Sequence, residues 1–211
     1  PNLITAPLAG ERLSREHVEQ LVGMSRKADA VLVGPGLGEH EDTLEAVRML
    51  VSACDRPMVL DADALKAVAG DLGLLNGRKG VLTPHHREME ILLEDKVPAE
   101  DRTGRAMDLA SRTGWTVLLK GRVDVITDGT GVKLNRTGNP GMSVGGTGDV
   151  LAGITAGLLA KGASGFKAAR MSAFLNGSAG DLAFEKFSYG LMATDLLDRI
   201  PQVLRRGLSR V

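Results

Sequence analysis

The sequence is poor in the features that mark several large classes of protein. Aromatic residues make up only 3% of the chain, which argues against the stacking platforms that bind single-stranded nucleic acid. Lys plus Arg and Asp plus Glu both number 26, so no overall basic field attracts nucleic acid or an anionic membrane. A single cysteine, Cys54, excludes an internal disulfide framework. We therefore expect neither nucleic acid nor a membrane as a partner.

The chain also lacks an apolar run of transmembrane length and a recognisable secretory signal. Its longest apolar stretch, around residues 150–159, is interrupted by glycines and fits a buried helix better. The first residues, P-N-L-I-T-A-P, contain neither a basic n-region nor an apolar h-region. The low cysteine content suits a reducing compartment, so these features together predict a cytoplasmic protein.

Short apolar runs alternate with amphipathic stretches along most of the 211 residues. The runs are apolar without alternation, which is typical of parallel strands buried on both faces. They lie at residues 30–33, 58–60, 80–82 and 116–119. Residues 124–135 instead predict a hairpin around the turn D-G-T-G. Helices are expected at residues 41–53, 87–93, 102–112, from 150 onward, at 166–186 and at 193–206. The pattern predicts a single α/β domain spanning residues 1–211, with helices on both sides of a mostly parallel sheet and a small β-hairpin.

Each predicted parallel strand is followed by a segment of glycines or charged residues. These segments are G-P-G-L-G, D-A-D, T-P-H-H-R-E and K-G-R-V-D. Ligand sites of open α/β sheets lie along the carboxyl ends of the strands. The separate signals therefore point to one crevice.

The strongest chemical signal is the string S-V-G-G-T-G-D-V-L-A-G, which contains Gly145 to Asp149. Glycines allow the backbone to approach an anion, and the N–H groups at the start of the following helix form an anion nest. The acid at the rim, Asp149, is placed to exchange a proton with a nucleophile or a leaving group. The residues alone also allow a simpler interpretation, a helix with its N-cap at Thr147 and an acid in its first turn.

Several strings resemble the ADP/ATP-dependent NAD(P)H-hydrate dehydratases, repair enzymes with a ribokinase-like fold. They occur in order as G-P-G-L-G at 34–38, L-D-A-D-A-L at 60–65, L-T-P-H at 82–85, L-K-G at 119–121 and N-R-T-G-N-P-G-M-S-V-G-G-T-G-D-V-L-A-G at 135–153. The resemblance covers practically the whole chain and implies a three-layer α/β/α architecture. Its members convert the S epimer of hydrated NADH or NADPH (NADHX or NADPHX) back to the normal dinucleotide. They are thought to phosphorylate the hydrate hydroxyl with ADP or ATP, aided by Mg²⁺, and then to eliminate phosphate.

The resemblance assigns the chemistry to the glycine-rich segment. Asp149 becomes the catalytic base for the hydroxyl, and the N–H groups of Gly146, Thr147 and Gly148 become the anion hole. Hydroxide is a poor leaving group, and phosphorylation converts it into a good one. Positioning and charge stabilisation dominate such transfers, so a nest beside an acid suits the reaction.

The resemblance also implies a set of nucleotide-binding residues. A lysine at a strand end serves as a point charge for phosphates, although by itself it suits an ordinary exposed cation. An arginine at a loop tip commonly lies in solvent, and the N-P-G segment also suits a plain turn that places Met142 and Ser143 near the nucleotide. The implied set is Lys120, Gly121, Arg122, Val123, Asp124, Asn139 and Gly148.

A further set is implied to bind the substrate: Gly36, Gly38, Asp61, His85 and Asp149. By residue type alone, the glycine segment also suits a rigid turn, and His85 suits a helix start. For Asp63, substrate orientation and helix capping are equally supported. Glu88 is a candidate for holding Mg²⁺ through water, because Mg²⁺ keeps much of its hydration shell. The alternative is an acid that complements the helix dipole.

The chain departs from the family pattern in two respects. The family domain normally begins with further strands ahead of the region that matches Pro1, so we expect an N-terminal segment, with its strands and part of the hydrate pocket, to be absent here. Asn176 stands where many relatives carry histidine, and Lys66 replaces a frequent asparagine. The expected partners are the hydrate, the nucleotide, a second copy in a homo-oligomer, and an epimerase domain or the absent segment.

Two other functions share these signals. A ribokinase-superfamily kinase acting on a small alcohol also uses a glycine-rich anion hole and an aspartate base. A non-catalytic nucleotide-binding half of a split or bifunctional protein is the second alternative. T-G-N-P-G-M and L-T-P-H favour the dehydratase over the kinase, and the intact Asp149 argues against the non-catalytic half.

Overall fold

The protein is represented by a computed structural model that describes residues 3–208. Pro1 and Asn2, on which the expectation of an absent N-terminal segment rested, lie outside the described residues, as do residues 209–211. The predicted domain 1–211 is therefore described over 3–208.

One six-stranded sheet runs through the described residues, with its strands in chain order. The strands are Val31–Val33 (β1), Met58–Leu60 (β2), Gly80–Leu82 (β3), Thr116–Leu119 (β4), Asp124–Thr127 (β5) and Val132–Asn135 (β6). β1 to β4 are parallel to one another, whereas β5 pairs antiparallel with both β4 and β6. The predicted parallel strands and the predicted hairpin are thus both confirmed.

Helices fill the connections and the carboxyl-terminal part of the chain. They are Val18–Ser25 (α1), Glu41–Ala53 (α2), Asp63–Val68 (α3), His86–Leu93 (α4), Arg102–Thr113 (α5), Thr147–Ala160 (α6), Gly165–Phe187 (α7), Ala193–Leu197 (α8) and Ile200–Leu208 (α9). The described residues also contain five short 3-10 turns, one before α1 at Arg15–His17 and four between later elements at Leu72–Leu75, Ala99–Asp101, Pro140–Met142 and Ser188–Gly190. No helix within residues 3–208 is both long enough and apolar enough to cross a membrane.

The strands divide their side chains between two apolar layers. Leu60 and Leu82 pack into a core with the helices from α2 to α5, whereas Val59 and Val81 pack into a second core with α6 and α7. Successive strand residues point to opposite faces, so a strand covered on both sides must be apolar throughout. Helices therefore cover both faces of the sheet, and the predicted three-layer architecture is confirmed.

This topology brings the polar segments to one edge of the sheet. The parallel strands β1 to β4 all end there, and the antiparallel β5 begins there at Asp124. β6 ends there at Asn135, which pairs in register with Asp124. The loop after β6 then leads to the first turn of α6. Segments that are far apart in sequence consequently surround one site.

Two helix predictions need correction. The sequence predicted one helix over residues 193–206, but α8 ends at Leu197 and α9 begins at Ile200. Pro201 explains the break, because proline cannot continue a helix but fits its first turn. The glycine-rich helix was expected from Val150, but α6 begins three residues earlier at Thr147.

Candidate active site

A cavity of about 1050 Å³ lies at this edge of the sheet. One wall is the turn between β4 and β5, residues 120–124, and the facing wall is the loop after β6, including residues 136–140 and 142–144. Thr147 and Gly148 of α6 border it, as do His85 and part of α7. The cavity therefore gathers all seven residues predicted to bind the nucleotide, including Asn139, together with Met142 and Ser143.

The first turn of α6 has the form of an anion nest. Gly146 is the N-cap residue with a positive φ of 92°, which favours glycine. Thr147 is the first helical residue and does not cap the helix, so the alternative with Thr147 as N-cap is wrong. Its hydroxyl instead donates to the carbonyl oxygens of Met142 (2.9 Å) and Val144 (3.1 Å). The N–H groups of this turn remain directed at the space in front of the helix.

Asp149 occupies the third position of the same helix. It is exposed and lies outside the wall of the cavity, although its neighbours Thr147 and Gly148 belong to that wall. The carboxylate therefore stands at the rim, between the cavity and open solvent. A group in this position can meet a second molecule that approaches from outside while a first one occupies the cavity.

Lys120 brings a positive charge to the nest. Its ammonium lies 2.7 Å from the Oδ1 atom of the buried Asp61 and 3.8 Å from Glu88. A Cβ atom added to Gly148 would lie 3.6 Å from the same ammonium. Asp61 and Glu88 lie behind Lys120 and outside the cavity wall, so Asp61 contacts Lys120 where the sequence suggested a contact with substrate.

His85 and Glu88 form the start of α4 and cap each other. The His85 Nδ1 atom accepts the Glu88 N–H at 3.1 Å, and the Glu88 carboxylate accepts the His85 N–H at 2.7 Å. This reciprocal pair satisfies two N–H groups of the helix start. The His85 ring remains about half exposed and lines the cavity, whereas Glu88 is 5% exposed.

The glycine segment after β1 has the backbone conformation that the sequence suggested. Gly34, Gly36 and Gly38 all have positive φ angles. A Cβ atom at Gly34 would overlap the backbone carbonyl of Asp61, so only glycine fits there. Asp63 accepts the Gly38 N–H at 2.9 Å and does not provide the N-cap of α3, so its carboxylate holds the glycine segment in place.

Asp124 joins the two walls of the cavity. Its carboxylate accepts the Gly121 N–H at 3.0 Å and the Asn135 Nδ2–H at 2.9 Å. Burial raises the pKa of Asp124, while these hydrogen bonds and the charges of Arg102 and Lys120 oppose that rise. The carboxyl group that was predicted to bind nucleotide therefore also fixes the turn over residues 120–124.

The sequence pointed to Asn176 as a departure from the family but gave no role to Gly177 or Asp181 on the same helix α7. Asn176 and Gly177 line the cavity, and Asp181 binds the loop over residues 136–144 from behind. The available signal was a pair of glycines, Gly177 and Gly180, inside a long helix. Glycines at such positions commonly mark a close approach by another backbone segment.

The carboxylates of this site do not form a preassembled metal centre. Within residues 3–208, no group of three or more His, Cys, Asp or Glu side chains is arranged to hold a metal ion. Mg²⁺ keeps several waters and binds chiefly to phosphate oxygens, so a bound nucleotide would supply most of its ligands. Glu88, beside Lys120, is the candidate for contacting its water shell.

Known proteins resemble this chain over most of its length. A family model described as NAD(P)H-hydrate dehydratase matches residues 1–202. The bifunctional NAD(P)H-hydrate repair enzyme Nnr of Pyrobaculum aerophilum is 44% identical over 210 residues, which are 98% of this chain and 41% of the relative. The chain thus spans less than half the length of that curated relative.

Two further proteins match this chain over a larger share of their own length. The ADP-dependent (S)-NAD(P)H-hydrate dehydratase of Cenarchaeum symbiosum is 38% identical over 97% of this chain and 72% of its own length. A crystal structure of the ADP/ATP-dependent NAD(P)H-hydrate dehydratase from Bacillus subtilis, co-crystallised with ATP and Mg²⁺, is 31% identical. It superimposes with a TM-score of 0.74 over 87% of this chain and 68% of that chain.

Proposed function

We propose that this chain restores NADH and NADPH from the S epimers of their hydrates. It belongs to the NAD(P)H-hydrate dehydratase family and has its ribokinase-like fold. The reaction consumes one ADP or ATP per turnover. The observation that carries this proposal is the position of Lys120, whose ammonium lies beside Gly148 in the first turn of α6. A lysine and a helix start that border one cavity suit the terminal phosphates of a nucleotide.

The nucleotide occupies the cavity with its terminal phosphate at the nest. The N–H groups of Gly146, Thr147 and Gly148 and the charge of Lys120 stabilise the transferring phosphoryl group. The turn over residues 120–124 and Asn139 bind the rest of the nucleotide. The exposed Arg122 adds a second positive charge on the same wall.

The hydrate meets the nucleotide at Asp149. This carboxylate takes the proton of the hydrate hydroxyl, whose oxygen attacks the terminal phosphorus and displaces ADP from ATP or AMP from ADP. The carbon–oxygen bond then breaks, and phosphate leaves with the bonding electron pair. The neighbouring ring carbon loses a proton to water, and the electron pair of that carbon–hydrogen bond becomes the double bond of the dihydronicotinamide.

The substrate side of the site lies outside the nucleotide cavity. Asp149 stands at the rim, and the backbone at Gly36 and Gly38 borders open space, because a Cβ atom at either position would meet nothing within 4 Å. Close approach of a dinucleotide to this segment is therefore sterically allowed. His85 lines the cavity wall and is the side chain we assign to the substrate boundary.

Mg²⁺ accompanies the nucleotide in this proposal. When bound, it neutralises the negative charge that the phosphate oxygens carry. Glu88, which is buried behind Lys120, is the carboxylate that would meet its water shell. The protein groups that position the phosphates are Lys120 and the first turn of α6, and these do not depend on the ion.

Further chain completes the sheet and the hydrate pocket in this proposal. No strand pairs with the outer edge of β1 within residues 3–208, and Val31 and Leu32 of that strand are only half-buried. The face of α6 that carries Gly153 and Gly157 meets open space. An N-terminal segment or a fused epimerase domain suits this edge. Homo-oligomerisation, to be measured by light scattering, and a cytoplasmic location stay predictions.

The direct test mixes the full-length protein with S-NADHX, Mg²⁺ and either ADP or ATP. We expect the near-ultraviolet absorbance of NADH to recover only when nucleotide is present, and S-NADPHX to behave in the same way. Asp149→Ala should lower kcat by about a thousandfold, as the loss of a general base does. Nucleotide affinity should change little, because Asp149 lies outside the cavity wall.

Each alternative function has its own signature in this experiment. A stable phosphorylated product, formed in proportion to the nucleotide consumed, would identify a small-molecule kinase. Thermal stabilisation by ADP or ATP without nucleotide turnover would identify a non-catalytic binding domain. Unchanged activity of Asp149→Ala would remove this residue from its role as base.

A further inference from the structure

The loop over residues 136–144 forms one wall of the cavity, and a single carboxylate on α7 holds it from behind. The Asp181 Oδ2 atom accepts the Gly138 N–H at 3.0 Å, and the Oδ1 atom accepts the Asn139 Nδ2–H at 2.9 Å. Asp181 itself does not border the cavity. Both of its oxygens are therefore used to fix a wall that other residues present to the ligand.

The same face of α7 is shaped to receive this loop. Gly177 and Gly180 lie three residues apart on one side of the helix. A Cβ atom at Gly177 would overlap Thr137, and one at Gly180 would overlap the Met142 side chain. The two glycines let the loop lie against the helix, and Asp181 supplies the polar contacts at that point.

The contacts of Asp181 continue to the anion nest. Asn139, whose amide donates to Asp181, uses its Oδ1 atom to accept the Gly141 N–H at 3.0 Å. This bond caps the 3-10 turn Pro140–Met142, and the carbonyl of Met142 accepts the hydroxyl of Thr147 at 2.9 Å. These hydrogen bonds, together with the short segment from Gly141 to Met142, thus connect α7 with the first turn of α6.

We propose that Asp181 is a positioning residue for the nucleotide cleft. It sets the distance between the loop over residues 136–144 and the nest, and so acts on the nucleotide through Gly138 and Asn139. This inference rests on the proposed function only in taking the cavity to be a nucleotide site. It assigns no contact between Asp181 and any reacting atom.

The test compares Asp181→Ala with wild type in the full-length protein. Calorimetric titration with ADP measures the dissociation constant without depending on catalysis, and kinetics give the KM of each substrate. We expect the dissociation constant and the nucleotide KM to rise about tenfold, since small displacements of a positioning element have effects of this size or larger. The KM for the hydrate should stay within about twofold, because the loop faces the nucleotide.

Two controls separate positioning from general loss of stability. Glu185→Gly lies one turn further along α7, at an exposed position, and weakens the helix without touching the loop. It should leave ADP affinity unchanged. Asp181→Asn keeps the shape of the side chain and can still accept the Gly138 N–H, but its amide cannot accept the amide hydrogen of Asn139 at the same time. Its ADP affinity should lie between those of wild type and Asp181→Ala, because one of the two hydrogen bonds to the loop is kept.

The outcomes distinguish this inference from the proposed function. Equal ADP affinity in Asp181→Ala and wild type, or an equal loss in Glu185→Gly, would overturn the positioning role. A wild type that binds ADP but does not repair the hydrate overturns the dehydratase proposal alone. A wild type that binds neither ADP nor ATP overturns both.

Discussion

The ammonium of Lys120 lies 2.7 Å from the buried carboxylate of Asp61, although 59 residues separate them in the sequence. Lys120 follows β4 and Asp61 follows β2, so the pair spans the carboxyl ends of the parallel strands. The lysine is thereby held beside Gly148 of α6. Because the ion pair already holds the Lys120 side chain in one position, this side chain loses less conformational entropy when it binds phosphate.

This pair predicts a specific effect of Asp61→Ala. The nucleotide KM should rise about tenfold because Lys120 is no longer held at the nest. The free energy of unfolding should fall by about 2 kcal/mol, the usual effect of removing a partner from a charged hydrogen bond. Steady-state kinetics and urea unfolding measure the two quantities.

The role of Asp61 is decided by which KM rises in Asp61→Ala, that for the nucleotide or that for the hydrate. If the KM for the hydrate rises and that for the nucleotide does not, Asp61 orients substrate, as the resemblance implied. Asp108→Ala is the matched control, because it removes the exposed pair between Asp108 and Arg112. Exposed pairs contribute little, so both KM values and stability should stay close to wild type.

If the first turn of α6 binds phosphate, Gly148→Ala should lower nucleotide affinity without lowering the stability of the fold. A methyl group at this position has room within the folded chain, since its nearest neighbour would be the Lys120 ammonium at 3.6 Å. Alanine favours helix, so the free energy of unfolding should stay the same or rise by up to about 1 kcal/mol. The methyl group would occupy space meant for phosphate, so nucleotide affinity should fall at least about tenfold.

Gly23→Ala provides the comparison for Gly148→Ala. Gly23 is an exposed residue of α1, with nothing within 4 Å of an added Cβ atom. It should gain similar helix stability and keep full nucleotide affinity. Calorimetry with ADP and thermal unfolding of both variants supply the data. Normal ADP binding by Gly148→Ala would contradict a phosphate site at this helix turn.

The sequence was sufficient to predict the layers of the fold and the segments that meet at one edge of the sheet. Strands such as Met58–Leu60 are apolar on both faces because helices cover both sides of the sheet, and this pattern is visible without tertiary information. The convergence of Lys120 and His85 followed from the parallel arrangement, which places strand ends on one edge. Both predictions depend on periodicity and topology alone.

The pairing of individual side chains could not be predicted in the same way. Asp61 and Asp181 are ordinary acids in the sequence, and their partners come from segments tens of residues away. Thr147 suited an N-cap by residue type, but the positive φ of Gly146 shifts the start of the helix and leaves its hydroxyl for Met142. Such assignments depend on the final packing of α7 and the loop after β6.

The hydroxyl of Thr147 predicts different effects of two similar substitutions. Thr147→Val keeps the side-chain shape but loses the hydrogen bonds to the carbonyls of Met142 and Val144. We expect a loss of about 1 kcal/mol in stability and a rise in nucleotide KM of several-fold, because the loop and the nest are no longer joined. Thr147→Ser keeps the hydroxyl and should retain nearly normal kinetics. Equal nucleotide KM values for the two variants would contradict this link.

Asp124 predicts a pH dependence of stability. Burial raises its pKa above the ordinary value of 3.8. The folded state therefore binds the proton more tightly than the unfolded chain does, so this group's contribution to stability is full below about pH 4 and is lost as pH rises through the raised pKa. At still higher pH the contribution no longer changes.

Asp124→Asn removes that titration and makes the prediction measurable. The amide can accept only one of the two hydrogen bonds from Gly121 and Asn135, which lowers stability by an amount that does not vary with pH. Urea unfolding of both proteins from pH 4 to pH 8 gives the difference in unfolding free energy, wild type minus variant. This difference should be largest at pH 4 and decline as pH rises. A difference that increases with pH would mean that the hydrogen bonds and the charges of Arg102 and Lys120 outweigh burial and lower the pKa of Asp124.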